Sequence, residues 1–236
     1  MTYPWGVTRH LRAILWDLDG TLIDSEPYWM RSETEMVEQY GGKWTAEDAA
    51  ACVGNPLSVT AERMARRGVP LPPERIGAEL FERMTHLIRH VGMPYRPGAL
   101  ELLMAARAAG LTQALVTMSF GPYVAAAAES APDGMFSVIR TGDTVERGKP
   151  APDIYLAAAS DLGLAPADCL GIEDSEPGVL AVLAAGATPV VVPGVVDVPP
   201  IPGVLRWPTL AGVEPLHLEI AHGAYQAGVT AGSAVQ

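Results

Sequence analysis

The stretch Leu11–Gly20, LRAILWDLDG, carries the decision about the fold. Its first six residues form a short apolar run, and the run ends abruptly in two acids separated by a leucine. A buried strand that stops at a turn reads this way, because four to eight apolar residues bounded by turn formers suit a strand covered on both faces. Asp17 and Asp19 are two apart, so at a strand end they share one side while Leu18 points away into the core. Gly20 permits a sharp backbone turn just beyond them.

Working outward, the chain changes character twice. From Ser25 to about Tyr95 the pattern is helical. Trp29, Met36, Val37 and Tyr40 recur at helix spacing, and Gly41 and Gly42 end that helix. Val59 to Arg67 reads as a second helix. Ile76, Leu80, Phe81, Met84, Leu87, Ile88 and Val91 form an apolar stripe on a longer third. Pro94 and the pair Pro97 and Gly98 then punctuate the chain. Beyond them, helices and short apolar strands alternate. Strands are expected at 112–117, 137–141, 168–172 and 189–192, with a weaker one near 204–207. Helices are expected at 99–109, 122–130, 152–162 and 177–185. Strict βαβα alternation argues a Rossmann-like, doubly wound parallel sheet. The helical stretch is then an insertion into that α/β domain. The expected organisation is a core of residues 1–24 and 96–223, a helical cap of 25–95 and a mobile tail of 224–236.

Composition narrows the partners. Sixteen Lys and Arg against 27 Asp and Glu give a net charge of −11, which argues against a nucleic-acid backbone as partner. The most apolar stretch, 179–192, is too short to span a bilayer and contains Gly186 and Pro189. The first residues show no basic start followed by an apolar run, so no signal peptide is read. Cys52 and Cys169 lie far apart without a CxxC pair, which fits a reducing, cytoplasmic protein. The arginines at 63–67 read as one solvated helix face. His86 and His90 stand at the spacing of a two-histidine metal site, yet the absence of a Glu after His86 favours an exposed helix edge.

In doubly wound sheets, ligands bind beyond the carboxyl ends of the strands. After the first strand come Asp17 and Asp19. After the second come Thr117 and Ser119, after the third Lys149, and after the fourth Glu173 and Asp174. Four acids, two hydroxyls and one lysine thus collect at one rim. Carboxylates crowded together repel unless some take up protons or a cation joins them. Oxygen donors without His or Cys select Mg²⁺. A cation, an ammonium and small hydroxyl donors suit a phosphate dianion, and a remaining carboxylate can act as nucleophile.

Four motifs sharpen this. DLDGTLIDSEP at 17–27 resembles the first motif of the haloacid dehalogenase-like (HAD) hydrolase superfamily. LVT at 115–117, GKPAPDIY at 148–155 and GIEDSEPGV at 171–179 are similar to its second, third and fourth, in family order. The helical insert resembles the cap of the subgroup containing sugar-phosphate phosphatases and β-phosphoglucomutase. The resemblance implies a Mg²⁺-dependent phosphatase acting on a small phosphorylated metabolite, with a sugar phosphate the leading candidate. In that reading Asp17 is the nucleophile and Asp19 the acid and base. Thr117, Ser119 and Lys149 hold the phosphoryl group. Asp17, Asp174, Glu173 and the backbone carbonyl of Asp19 hold the metal. The cap would close over the core and choose the substrate, with Glu26, Trp29 and Asn55 as candidate contacts. A monomer or small homo-oligomer is expected.

Two departures from the pattern bear on the reaction. Residues 54–57, Gly-Asn-Pro-Leu, lack the arginine with which β-phosphoglucomutase-like caps grip a second phosphate, and Trp29 stands where a histidine is expected. Both rank a phosphatase above a phosphomutase. Asp19 argues against dehalogenase activity, and the intact Asp17, Asp19, Lys149 and Asp174 argue against a non-catalytic phosphometabolite-binding protein.

Overall fold

The computed structural model describes residues 11–53 and 57–228, so Asn55 lies outside the described residues. Six strands, β1 (Ala13–Trp16), β2 (Thr112–Val116), β3 (Val138–Arg140), β4 (Cys169–Glu173), β5 (Thr188–Val191) and β6 (Leu205–Arg206), form one sheet. Every pairing is parallel, in the order β3-β2-β1-β4-β5-β6. That is the doubly wound order, with its switch point beside the first strand. Each expected strand is present within two residues of its predicted ends.

The chain divides into two compact units. The first comprises residues up to Ile23, Tyr95–Phe120 and the chain from Pro132 onward. It holds the sheet with helices on both faces, among them α5 (Ala99–Ala108), α7 (Asp153–Asp161), α8 (Glu176–Ala185) and α9 (Pro215–Gln226). Side-chain alternation along the strands sorts the two faces. Ala13, Leu15, Ala114, Val116 and Cys169 pack with Ile154 and Tyr155 of α7 and with Ala181 and Val182 of α8. On the other face the Trp16 indole donates to Gln113 Oε1 at 2.9 Å, and Gln113 Nε2 donates to the Leu103 carbonyl of α5 at 3.0 Å. The buried amide is thereby satisfied on both sides.

The second unit comprises Asp24–Pro94 and Gly121–Ala131. It contains α1 (Glu26–Gln39), α2 (Ala46–Ala50), α3 (Leu57–Arg66), α4 (Pro73–His90) and α6 (Gly121–Ser130). Met36 and Val37 of α1, Met64 of α3, and Ile76 and Leu80 of α4 share one buried cluster. The sequence reading kept α6 with the sheet. Here Tyr123 of α6 is fully buried and lies 5.9 Å, centroid to centroid, from Phe81 of α4.

Two α-helices were not expected. Helix α2 is only five residues long and is nucleated by a capping box. Thr45 Oγ1 accepts from the Asp48 N–H at 3.1 Å, and the Thr45 N–H donates to Asp48 Oδ2 at 3.2 Å. Buried Asp48 also takes Arg67 at 2.7 Å and Arg63 at 3.4 Å. These arginines therefore do not form a simple solvated face. The Arg67 hydrogen bond outweighs burial and, together with Thr45, draws the Asp48 pKa down to about 2. The other helix, α9, runs through Gln226, so residues 224–226 of the expected mobile tail are helical. Its inward face buries Leu218 and His222, with His222 Nδ1 2.8 Å from Thr188 Oγ1 of β5. Residues 229–236 lie outside the described residues. Ser25 occupies the position before α1 without a side-chain capping bond. His86 and His90 are exposed, with rings 4.2 Å apart.

Candidate active site

The register of the sheet assembles the site. Trp16 pairs with Leu115 of β2 and with Ile172 of β4, so the next residues of the three strands emerge at one level. Those residues are Asp17, Val116 and Glu173. Alternation then assigns the sides. Asp17 follows Ala13 and Leu15 on the face packed by α7 and α8, and Glu173 follows Cys169 and Gly171 on the same face. Gly171 shows this directly, since a Cβ there would stand 2.5 Å from a Val182 methyl of α8.

Lys149 enters from the loop after β3 and joins the two acids. Its ammonium donates to Asp17 Oδ1 at 2.7 Å and to the Val116 carbonyl at 3.2 Å, and it pairs with Glu173 Oε1 at 2.6 Å. All three side chains are nearly excluded from solvent. Burial works against the lysine's charge, but Asp17 and Glu173 outweigh it and raise its pKa above the ordinary value. Tyr155 of α7 donates its hydroxyl to Glu173 Oε1, and its ring lies 5.3 Å from the ammonium. Ser175 Oγ bonds the other Glu173 oxygen at 3.4 Å. Gly178, in the first turn of α8, leaves room for this carboxylate; a Cβ there would be 1.9 Å from Glu173 Oε2.

Asp174 lies beside this group. Carboxylate oxygens of Asp17, Glu173 and Asp174 all fall within 4.8 Å of one another. Burial, then the charges of Asp17 and Glu173, push Asp174 up to about 8. Burial and Asp17 push Glu173 up to about 7 against the pull of Lys149. Backbone cradles Asp174 closely. A Cβ on Gly20 would sit 2.0 Å from Asp174 Oδ2, and one on Gly194 2.8 Å from it. Gly20 also has φ +82°, a conformation that other residues adopt only with strain. Three converging carboxylates, all oxygen donors, with two protonation equilibria shifted upward, fit a hard divalent cation.

The remaining expected residues fall as follows. Asp19 stands outside the carboxylate cluster; its Oδ2 accepts from Ser119 Oγ at 2.7 Å. Thr117 is buried, and its Oγ1 accepts from the Ser119 N–H at 3.0 Å. Ser119 thus orders Asp19 while Thr117 orders Ser119. Glu26 and Trp29 lie on α1 in the second unit, and Trp29 meets Phe81 edge-on at 5.4 Å. The sequence reading missed two residues, Tyr155 and Arg96. Tyr155 is part of the GKPAPDIY motif, and a helix whose apolar face meets β4 could have flagged it. Arg96 sits in no motif.

A doubly wound parallel sheet thus gathers an Asp–Lys–Glu–Asp set at its strand tips, with a third Asp, Asp19, held by a serine. The haloacid dehalogenase-like hydrolase family model matches residues 11–186, and the chain belongs to that family. Its homologues mark it as a phosphoric monoester hydrolase. It is 35% identical over 190 residues to hexitol phosphatase A of Escherichia coli, covering 80% of this chain and 86% of that protein. It is 36% identical over 198 residues to protein CbbY of Rhodobacter capsulatus, covering 78% and 86%. The structure of a CbbY mutant from Rhodobacter sphaeroides with xylulose-1,5-bisphosphate is 29% identical. It superposes with a TM-score of 0.71, covering 86% of this chain and 96% of that one. No helix among the described residues is long and apolar enough to cross a membrane.

Proposed function

We propose that this enzyme hydrolyses a sugar phosphate or sugar-alcohol phosphate through a phosphoaspartyl intermediate on Asp17, with Mg²⁺ as its cation. The observation that carries the reading is the convergence of Asp17, Lys149, Glu173 and Asp174 beyond the carboxyl ends of β1 and β4. The names of hexitol phosphatase A and of the CbbY complex with a sugar bisphosphate support the substrate class. Two buried free cysteines, Cys52 and Cys169, accord with a reducing cytoplasm.

In this mechanism an Asp17 oxygen attacks phosphorus while the bond to the ester oxygen breaks. Lys149 holds Asp17 Oδ1 and sets the carboxylate's direction, so little reorganisation is needed as charge moves. Asp19, oriented by Ser119, gives its proton to the leaving alkoxide. It then takes a proton from water as that water attacks the phosphoaspartyl phosphorus. Phosphate departs, Asp17 returns as carboxylate, and Asp19 is protonated again. Thr117 and the loop it orders face the phosphoryl oxygens. Asp17, Asp174 and the Asp19 carbonyl would hold Mg²⁺, which when bound offsets the charge of the phosphoryl oxygens. Glu173 serves chiefly by fixing Lys149, because its oxygens are taken up by Lys149, Tyr155 and Ser175.

A phosphate-release screen over sugar and sugar-alcohol phosphates, with Mg²⁺ and with chelator, tests the reading. Metal-dependent release from at least one member is expected. Turnover that survives chelation and dialysis would refute the metal requirement. Conversion of a hexose 1-phosphate into an isomer without phosphate release would make the enzyme a mutase instead.

A further inference from the structure

Arg96 is a cation bound to no carboxylate among its described hydrogen bonds. Its guanidinium donates instead to three backbone carbonyls from two separate loops. Nη1 reaches the Gly20 carbonyl at 2.5 Å and the Val192 carbonyl at 2.8 Å, and Nη2 reaches the Pro193 carbonyl at 2.8 Å. Gly20 belongs to the loop after β1, and Val192 and Pro193 follow β5. The backbone of Arg96 is itself fixed, its N–H donating to the Leu22 carbonyl at 3.0 Å.

The carbonyls so joined flank one carboxylate. Gly20 and Gly194, the latter directly after Pro193, are the two glycines whose missing side chains make room for Asp174 Oδ2. The Val192 N–H donates to the Glu173 carbonyl at 2.7 Å, which ties the β5 loop to the residue before Asp174. Thr21 Oγ1, next to Gly20, comes within 3.5 Å of Asp174 Oδ1. The planar fork of arginine suits such a multi-point contact, and an ammonium does not reproduce it.

We propose that Arg96 is a positioning residue that clamps the Gly20 and Gly194 loops about Asp174 and so presets that carboxylate for the divalent cation. The inference rests on the cation reading given above. Arg96 touches neither substrate nor reacting atoms and acts through Asp174. Its charge alone would act in the opposite direction, because a guanidinium near a metal site repels a cation. Clamp and charge therefore predict opposite signs when Arg96 is removed.

The test counts Mn²⁺ binding to the metal-free full chain by electron paramagnetic resonance, without substrate, for wild type, Arg96→Met and Arg96→Lys. Melting in chelator reports on folding, and turnover is measured against Mg²⁺ concentration. Both variants are expected to bind Mn²⁺ about tenfold or more weakly, and their kcat at saturating Mg²⁺ is expected to return to within about threefold of wild type. Unchanged or tighter Mn²⁺ binding by a folded Arg96→Met protein overturns the clamp. So does a kcat loss that Mg²⁺ does not restore. If the Met variant does not fold, Arg96→Lys decides alone, since it keeps the charge and loses the fork. Wild type that binds no Mn²⁺ overturns the cation reading itself, and this inference with it.

Discussion

Glu33, on α1 in the helical unit, gives a stability prediction with a definite sign. The side chain is buried and its one described hydrogen bond is from the Trp44 indole, 3.1 Å from Oε2. Burial, only partly offset by Trp44 and reinforced by Glu26, pushes its pKa from 4.5 up to about 7. A carboxyl whose folded pKa is raised stabilises the fold fully below the unfolded pKa and loses that contribution as pH rises to the folded value. From 4.5 to about 7, at about 1.36 kcal/mol per pH unit, the whole effect is about 3 kcal/mol. Between pH 5.5 and 8, a range that avoids the isoelectric region, about 2 kcal/mol of it should appear. Glu33→Gln removes the titration and keeps an oxygen to accept from Trp44. Urea unfolding followed by tryptophan fluorescence, with chelator present throughout, should show wild type losing about 2 kcal/mol more than the variant across that range. Parallel profiles would refute the reasoning. They would show that Glu33 ionises in the folded protein as readily as in the unfolded chain.

The other predictions concern the site. Asp17→Asn should abolish phosphate release by removing the nucleophile, and Asp19→Asn should lower kcat by about 10² to 10⁴; both are read in the same phosphate-release assay. Gly20→Ala should place a methyl 2.0 Å from Asp174 Oδ2 and strain a positive-φ position by about 1–2 kcal/mol. Displacing that carboxylate by about 1 Å should reduce turnover about 100-fold and raise the Mg²⁺ needed for half-activation. Tyr155→Phe should leave the ring near Lys149 but remove a donor from buried Glu173. A loss of about 2 kcal/mol in urea unfolding is expected, with a reduced kcat; unchanged values for both would show that the hydroxyl does not support the Glu173–Lys149 pair.

Much of this arrangement was legible before the structure, for identifiable reasons. The strands of a doubly covered parallel sheet are largely apolar, so 13–16, 114–116 and 169–172 stand out from their neighbours, and the polar residues that follow them mark one rim. The unexpected features lack that contrast. Helix α2 depends on a capping box of four residues rather than on an apolar stripe. Helix α9 buries His222 where a stripe would show a hydrophobic residue, and there it meets Thr188 Oγ1 of β5. Arg96 is invisible to motif reading because it binds carbonyl oxygens, which every residue possesses. For Glu173 the charge alone suggested a ligand and gave no sign of its neighbours; its place two residues beyond Gly171 turns it toward α7, where Tyr155 and Lys149 also meet it.

The seam where the chain leaves the sheet domain and returns is closed by its own backbone. Ile23 and Tyr95 form an antiparallel bridge, and the Arg96 N–H bonds the Leu22 carbonyl. The catalytic scaffold is thus stitched shut at the point of insertion, as though the 71 intervening residues, 24–94, were a cassette. Such a joint would let an insert of another length or sequence be carried without disturbing the strand tips. Helix α6 belongs to the same compact unit as residues 24–94, so a replacement also has to seat its Tyr123, as Phe81 now does.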